Sequence, residues 1–145
     1  MTKLLGVIVL GLALTACPKK TPSTPGGGPD VPAAAGKSMA GTMAEAPHQA
    51  FPSTLTVKPE CNQASYLILD VAEGKDFTIA VRPADGCVSV SVMKENGSTN
   101  DMPNAEICAD APKPPMAAKG QAGKTFISMN ETGACKGISV TVDFN

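Results

Sequence analysis

The chain has 145 residues and a formal net charge of −1 at neutral pH, from 12 basic and 13 acidic side chains. This length allows one small domain, and no cluster of basic residues provides the positive surface that nucleic-acid binding requires. Aromatic residues number only four Phe and one Tyr, and Trp is absent, which argues against a sugar-binding face of stacked aromatic rings.

The first sixteen residues have the organisation of an export signal. Lys3 supplies a positive charge, and residues 4–14 form an uninterrupted apolar run. This run is too short to span a bilayer, which requires roughly 20 apolar residues, but it suits the apolar region of a signal peptide. It leads into Leu14–Cys17 (Leu-Thr-Ala-Cys), which resembles the lipobox of bacterial lipoproteins.

The lipobox resemblance implies that residues 1–16 are removed and that Cys17 becomes the lipid-bearing first residue of the mature protein. Two or three acyl chains together would anchor it stably to a membrane. In many lipoproteins an aspartate after the cysteine signals retention in the inner membrane. Pro18 stands there instead, which favours the outer membrane. The alternative is an ordinary signal peptide in which Cys17 carries no lipid.

Residues 17–52 are predicted to form a disordered tether, because a segment so rich in Pro, Gly, Ala, Ser and Thr cannot bury enough apolar surface to offset its ordering entropy. Met39, Met43 and His48 lie close together in it. They form a candidate copper site, since thioether and imidazole ligands suit Cu(I). The alternative is that methionine is simply common in flexible, alanine-rich segments.

Residues 53–145 have the pattern of an all-β domain. Apolar and polar residues alternate with a period of two, which indicates half-buried antiparallel strands. The predicted strands cover residues 55–57, 66–71, 77–82, 88–93, 125–129 and 138–144. We therefore expect an antiparallel two-sheet β-sandwich of six to eight strands, stapled by two disulfides.

The strands on either side of Gly74 are predicted to pair as a hairpin. If the chain folds back at Gly74, Leu67 faces Val81 and Leu69 faces Ile79, so the apolar side chains share one face, as the register of a half-buried hairpin requires.

Four cysteines lie in the β domain: Cys61, Cys87, Cys108 and Cys135. An even number of cysteines in an exported protein indicates disulfides. Extending the hairpin register brings Cys61 opposite Cys87, which leaves Cys108 to pair with Cys135. A zinc site is the alternative, but no two of these cysteines have the close spacing of a zinc-binding pair.

Residues 94–123 interrupt the strands with a long segment that shows no clear structure. Such segments are usually functional or disordered, so this loop is the first candidate for binding. The alternative is a surface excursion fixed by its cysteine. Asp101, Glu106 and Asp110 are candidate calcium ligands within it, although their spacing does not match the EF-hand, and an acidic, solvated loop is the alternative.

The sequence offers no catalytic constellation. His48, the only histidine, lies in the predicted tether, which argues against a Ser or Cys triad in the domain. Residues 118–125 satisfy a relaxed phosphate-loop pattern, but a Pro-rich loop precedes them and a β-type segment follows, whereas a phosphate cradle needs a strand before and a helix after. We therefore predict no enzymatic activity, no cofactor, and neither nucleotide nor nucleic acid as a partner.

Residues 66–81 (Tyr-Leu-Ile-Leu-Asp-Val-Ala-Glu-Gly-Lys-Asp-Phe-Thr-Ile-Ala-Val) resemble the opening hairpin of bacterial pre-peptidase C-terminal domains. This resemblance implies a small β-sandwich of the kind attached to secreted enzymes, with residues 88–97 and 123–144 as later strands. It implies no ligand site, because Cys87, Ser89 and Ser91 stand where that family favours aspartates.

These features together predict a lipid-anchored lipoprotein of the cell envelope. Its non-catalytic domain would bind an envelope protein or polymer, or have a structural role at the membrane surface. The alternative function is the handling of copper, calcium or a small ligand in the periplasm.

Overall fold

The computed structural model describes residues 39–145. The predicted signal peptide, Cys17 and the predicted tether as far as residue 38 lie outside the described residues. The described part contains a 3-10 turn and nine strands: Met43–Glu45, then β1 (His48–Ala50), β2 (Ser53–Val57), β3 (Ser65–Asp70), β4 (Asp76–Pro83), β5 (Cys87–Met93), β6 (Asn104–Cys108), β7 (Met116–Lys119), β8 (Thr125–Thr132) and β9 (Val140–Phe144). Within these residues no helix has the length and apolar character that a membrane span requires.

The nine strands form two sheets. The five-stranded sheet has the order β1-β3-β8-β5-β6, and the four-stranded sheet has the order β2-β9-β4-β7. Every neighbouring pair is antiparallel except β1 with β3, which is parallel. The predicted all-β, two-sheet sandwich is confirmed.

The core lies between the sheets and is built by the alternation that predicted the strands. In β9, Val140, Val142 and Phe144 are fully buried, whereas Thr141 and Asp143 lie on the opposite side of the strand. The same period of two repeats in β4 and β5. Each fully buried aliphatic or aromatic side chain stabilises the fold by about 1.5–3 kcal/mol relative to its exposed state.

The predicted hairpin about Gly74 is wrong. β3 pairs with β1 and β8 in one sheet, whereas β4 pairs with β7 and β9 in the other. The chain at Gly74 therefore crosses from sheet to sheet. Leu67, Leu69, Ile79 and Val81 are nevertheless all buried, because two strands packed face to face bury the same alternate residues as two paired strands. A period of two identifies the buried side of a strand but not its partner.

The four domain cysteines form two disulfides, but the predicted pairing is wrong: the bonds join Cys61 to Cys135 and Cys87 to Cys108. The register of β5 and β6 sets Cys87 directly opposite Cys108. Cys61 forms an isolated bridge with Glu131, near the end of β8, and Cys135 follows four residues later in the chain. The predicted partners depended on extending the Gly74 hairpin, so they failed with it.

The predicted irregular segment, residues 94–123, contains two short strands that the sequence analysis missed. β6 is an edge strand of the five-stranded sheet, and β7 is an edge strand of the four-stranded sheet. Ile107 is the single fully buried side chain of β6, and β7 has none. Edge strands that bury so little leave only a faint alternation in the sequence.

The predicted tether extends to residue 52, but residues 39–50 belong to the sandwich. We call residues 39–47 the N-terminal strap. Ala40 exchanges two backbone hydrogen bonds with Tyr66 of β3, at 3.0 and 2.8 Å, and β1 then pairs with β3. Met39 and Ala46 are both buried. The composition indicated disorder, but a few buried side chains and backbone hydrogen bonds to a sheet edge hold this segment in place.

Candidate functional site

Three connections meet at one end of the sandwich, which we call the loop end: residues 71–75 after β3, residues 94–103 after β5 and residues 120–124 after β7. Gly120 joins two of these connections. Its N–H donates to the carbonyl of Lys75 at 2.8 Å, and its carbonyl accepts the N–H of Gly74 at 2.9 Å. Backbone hydrogen bonds therefore hold the β3–β4 and β7–β8 connections together at the loop end.

Gly120 permits this contact because it has no side chain. A Cβ at this position would lie 2.1 Å from the carbonyl oxygen of Ala72, which is backbone and has little freedom to move. Glycine is the residue that allows such close approach of two backbone segments. The position of the β7–β8 loop against the β3–β4 connection thus depends on one residue.

The β5–β6 loop is also ordered by its own hydrogen bonds. The N–H of Lys94 donates to the carbonyl of Ser98 at 2.9 Å, and the N–H of Gly97 donates back to the carbonyl of Lys94 at 2.9 Å. The side-chain oxygen of Asn96 accepts the N–H of Ser98 at 3.0 Å. These turns hold the side chains of residues 94–96 at the surface of the loop end.

Two clefts open at the loop end, and Gln121 lines both. One, of about 360 Å³, lies between residues 94–96 and residues 121–122. The other, of about 320 Å³, lies between β7 and residues 101–103. Both volumes are near the lower limit for small-molecule sites, and both linings combine polar and apolar surface in similar amounts, whereas typical ligand pockets are mostly apolar. Such clefts suit hydrogen bonding to a polar group of a partner.

Gln121 is fixed in place between the clefts. Its side-chain nitrogen donates to the carbonyl of Lys119 at 2.5 Å, and its N–H donates to the hydroxyl of Thr125 at 2.9 Å. Nearby, the ammonium group of Lys119 lies 3.4 Å from the carboxylate of Asp76, and both side chains are well exposed. An exposed pair of this kind contributes about 0–1 kcal/mol, so these charges remain available to a partner.

The candidate calcium ligands are not brought together. Asp101 lies in the β5–β6 loop at the loop end. Glu106 lies on β6, where its carboxylate accepts the hydroxyl of Thr132 at 2.8 Å, and Asp110 follows the far end of that strand. Across residues 39–145, no group of three or more His, Cys, Asp or Glu side chains is placed to hold a metal ion.

The candidate copper ligands lie in three different surroundings. Met39 packs in the core between the sheets, whereas Met43 packs on the outer face of the five-stranded sheet. His48 is exposed, and its Nδ1 lies 2.6 Å from the carboxylate of Asp70. The sequence analysis missed this His–Asp pair, because it depends on the parallel pairing of β1 with β3.

The phosphate-loop pattern at residues 118–125 has no helix behind it. The segment begins in β7, turns, and ends in β8. Thr125 is buried, and its hydroxyl accepts the N–H of Gln121. This segment forms no helix N-terminus of the kind that cradles phosphate.

Glu131 is a buried carboxylate that the sequence analysis missed. It is 2 % exposed, and it accepts the backbone N–H groups of Lys136, Gly137 and Ile138, the last two at 2.9 and 3.2 Å. These bonds fix the loop that carries Cys135. An acidic residue at an inward position of the β8 alternation, two residues after a buried methionine, is the sequence pattern that could have identified it.

Two carboxylates have a lowered pKa through local contacts. The hydroxyl of Thr54 donates to Asp143 at 2.7 Å and lowers the pKa of Asp143; the guanidinium of Arg82 acts in the same direction, and partial burial opposes both. The N–H of Gly86 and then the ammonium of Lys136 lower the pKa of Asp85. Both carboxylates are stabilised as anions within structural contacts away from the two clefts.

The fold and the loop end define a small β-sandwich of two sheets that are mostly antiparallel. No family model matches the chain, and no curated protein matches it. Among solved structures, the chain is similar to the pre-peptidase C-terminal domain of a collagenase from Bacillus anthracis, with a TM-score of 0.52 and 14% sequence identity. The similarity covers 70% of this chain and 95% of that domain. At this identity it shows the fold, and it confirms the architecture that residues 66–81 predicted.

Proposed function

We propose that this protein is a lipid-anchored lipoprotein of the bacterial envelope, whose sandwich domain is a non-catalytic module that binds an envelope protein or polymer, or has a structural role, at the membrane surface. The proposal rests on the different positions of the five cysteines. Four are joined as disulfides within the sandwich, which indicates an oxidising compartment. The fifth, Cys17, stands directly after an apolar export signal, in a lipobox-like sequence.

The same proposal places the lipid on Cys17 and the protein at the outer membrane. Pro18 supports this location, because in many lipoproteins an aspartate at this position signals retention in the inner membrane. Acyl chains contribute about 0.8 kcal/mol per buried methylene, so two or three chains on one cysteine suffice for stable attachment.

Fractionation with intact-mass analysis tests the anchor. The wild-type chain is expected in the membrane fraction, with a mass equal to residues 17–145 plus acyl groups. Cys17→Ser removes the acceptor thiol, and we expect the acyl groups to be absent from that variant. A wild-type protein that starts elsewhere, or that starts at Cys17 without acyl groups, would contradict the anchoring proposal.

For the binding role, we propose the loop end as the contact surface. Its two clefts present an exposed cation, carboxylates and amides that are held by ordered loops. Crosslinking in whole envelopes, followed by capture of the protein, is expected to recover a reproducible partner. The double variant Asn96→Ala with Gln121→Ala should lose it, whereas the exposed substitution Lys58→Ala, at the other end of the sandwich, should retain it. Recovery of the same partner by both variants would exclude the loop end, and repeated failure to recover any partner would contradict a binding role.

A further inference from the structure

The outer face of the five-stranded sheet carries an apolar patch that the N-terminal strap covers. Ile68, Phe126 and Met93 stand side by side on β3, β8 and β5, because the strand registers set Ile68 opposite Phe126 and Phe126 opposite Met93. Met43 and Ala46 of the strap pack onto this row. Ile68 and Phe126 are 5 % and 3 % exposed as a result. We call these five residues, with the adjoining Tyr66, the strap cluster.

Two thioethers, together with Tyr66, occupy the partly buried positions of the strap cluster. Met43 and Met93 are only partly buried, whereas Ala46, Ile68 and Phe126 are buried. A Cβ at Gly97 would lie 3.8 Å from the sulfur of Met43, so this side chain also reaches the β5–β6 loop. The two methionines therefore combine access to solvent with a central role in holding the strap.

Apart from Met39, which is buried in the core between the sheets, few other contacts hold the strap. Tyr66 exchanges its pair of hydrogen bonds with Ala40, and the N–H of Ile68 donates to the carbonyl of Pro47 at 2.9 Å. These bonds lie at a sheet edge, where local opening requires little disruption of the core. The attachment of the strap to the outer face of the sheet thus depends strongly on the apolar character of Met43 and Met93.

We propose that Met43 and Met93 form an oxidant-responsive modification site that controls the docking of the strap. Hydrogen peroxide supplies the oxidant: the thioether sulfur attacks one peroxide oxygen, the O–O bond breaks, and the sulfur, oxidised by two electrons, gains an S–O bond. The departing hydroxide takes the proton of the transferred hydroxyl and leaves as water. The sulfoxide is polar and disrupts the apolar contacts on which the strap rests, and methionine sulfoxide reductases restore the thioether.

The remaining described methionines provide an internal contrast. Met129 is fully buried and Met39 is nearly so. Met102 and Met116 are partly buried like the strap pair, but they pack against the core between the sheets. Oxidation of Met102 and Met116 therefore tests whether any surface methionine suffices or whether the strap cluster is required.

Release of the strap would have a consequence for the proposed lipid anchor, and this step rests on the proposed function. The strap, residues 39–47, is continuous with the segment that leads back to Cys17. Freeing these nine residues requires Met39 to leave the core as well, and it adds up to about 30 Å of extended chain between the anchor and the sandwich. Oxidation would thus increase the reach of the domain from the membrane.

Hydrogen exchange at two single amides reports directly on the strap. The N–H groups of Tyr66 and Ile68 donate to strap carbonyls, whereas the N–H of Thr78 donates to Asn145 in the other sheet and serves as the reference. After peroxide treatment of the full chain, we expect sulfoxide at Met43 and Met93 and exchange at Tyr66 and Ile68 that is faster by at least about tenfold, with Thr78 unchanged.

Two matched double variants distinguish the effect of oxidation within the strap cluster from the effect of oxidation at other methionines. Met→Leu keeps volume and apolar character, so both variants should fold like the wild type. Met43→Leu with Met93→Leu should keep slow exchange at Tyr66 after peroxide, whereas Met102→Leu with Met116→Leu should respond as the wild type does.

Three results would overturn the proposal. They are faster exchange in the Met43→Leu, Met93→Leu variant after peroxide, unchanged exchange in an oxidised wild type, and a wild type in which Met43 and Met93 resist peroxide while Met102 and Met116 are oxidised. Should the Leu variants fail to fold, treatment of the oxidised wild type with methionine sulfoxide reductase replaces them. Restored slow exchange would support the proposal, and persistent fast exchange would refute it.

Discussion

Replacing the buried carboxylate of Glu131 by a carboxamide should destabilise the sandwich more than any other single polar substitution on β8. One carboxylate oxygen accepts the N–H of Lys136, and the other accepts the N–H groups of Gly137 and Ile138. In Glu131→Gln, the carboxamide oxygen can serve only one of these two sides. Its NH₂ group must then face at least one backbone N–H, so donor meets donor in a buried site.

The magnitude follows from the bonds that change. A hydrogen bond to a charged group contributes about 1.5–3 kcal/mol, and a buried donor left unsatisfied costs about 1–3 kcal/mol. Even in its better orientation, the Glu131→Gln side chain loses one such bond and leaves one backbone N–H without an acceptor. We therefore expect the free energy of unfolding to fall by about 3 kcal/mol, which in a domain of this size lowers Tm by at least about 12 °C.

Glu106→Gln is the matched control. Glu106 is an exposed glutamate whose carboxylate accepts one hydroxyl, from Thr132, so its substitution should change the stability by less than about 0.5 kcal/mol. Urea unfolding with the disulfides intact measures both variants, and the m-value should stay constant if only the native state is affected. Equal midpoints for Glu131→Gln and Glu106→Gln would show that the buried carboxylate does not hold the Cys135 loop.

Three further outcomes are expected. Loss of the Cys61–Cys135 bond should cost more stability than loss of the Cys87–Cys108 bond, because the two bonds span 74 and 21 residues. The chain-entropy model gives losses of about 4.4 and about 3.3 kcal/mol. Urea unfolding of the two paired Cys→Ala variants tests this order. Gly120→Ala should lower stability by at least about 2 kcal/mol, since its Cβ would collide with backbone, and an unchanged Tm would refute that collision. Thr54→Val should cost about 1–2 kcal/mol at neutral pH. Because Thr54 lowers the pKa of Asp143 in the folded state, that difference should shrink as pH falls below about 4, and a deficit independent of pH would argue against the ion contact.

The sequence predicted the sandwich because the strands in its core are long and alternate strictly. β4, β5 and β9 bury every second residue, and this pattern is independent of which strands are neighbours. The pattern does not predict which strands pair, because the turn at Gly74 could join two strands of one sheet or cross between the sheets with the same residues buried. The pairing of strands, and with it the pairing of cysteines, depends on long-range packing that no local pattern records.

The candidate site was only partly predictable for a related reason. The sequence indicated residues 94–123 as the first place for binding, and both clefts are lined from this segment. The clefts themselves depend on Gly120 meeting Ala72, a contact between distant parts of the chain. The strap was missed because composition measures what a segment can bury by itself, whereas the strap is held by an apolar row on the face of a sheet.

The two ends of the sandwich are stabilised by different interactions. Both disulfides and the buried carboxylate of Glu131 lie at the end where β5 begins and β8 finishes. One disulfide joins β5 to β6, the other joins two connecting segments, and the carboxylate binds the backbone of the loop that carries Cys135. The loop end, where β5 finishes at Met93, is held by backbone hydrogen bonds. Because opening one hydrogen-bonded turn disrupts far less than breaking a disulfide, local motion should concentrate at the loop end. Met43 of the strap lies near Gly97 in the loop that lines one cleft, so we expect a change that loosens the strap to act beside the proposed binding surface while the opposite end keeps the fold intact.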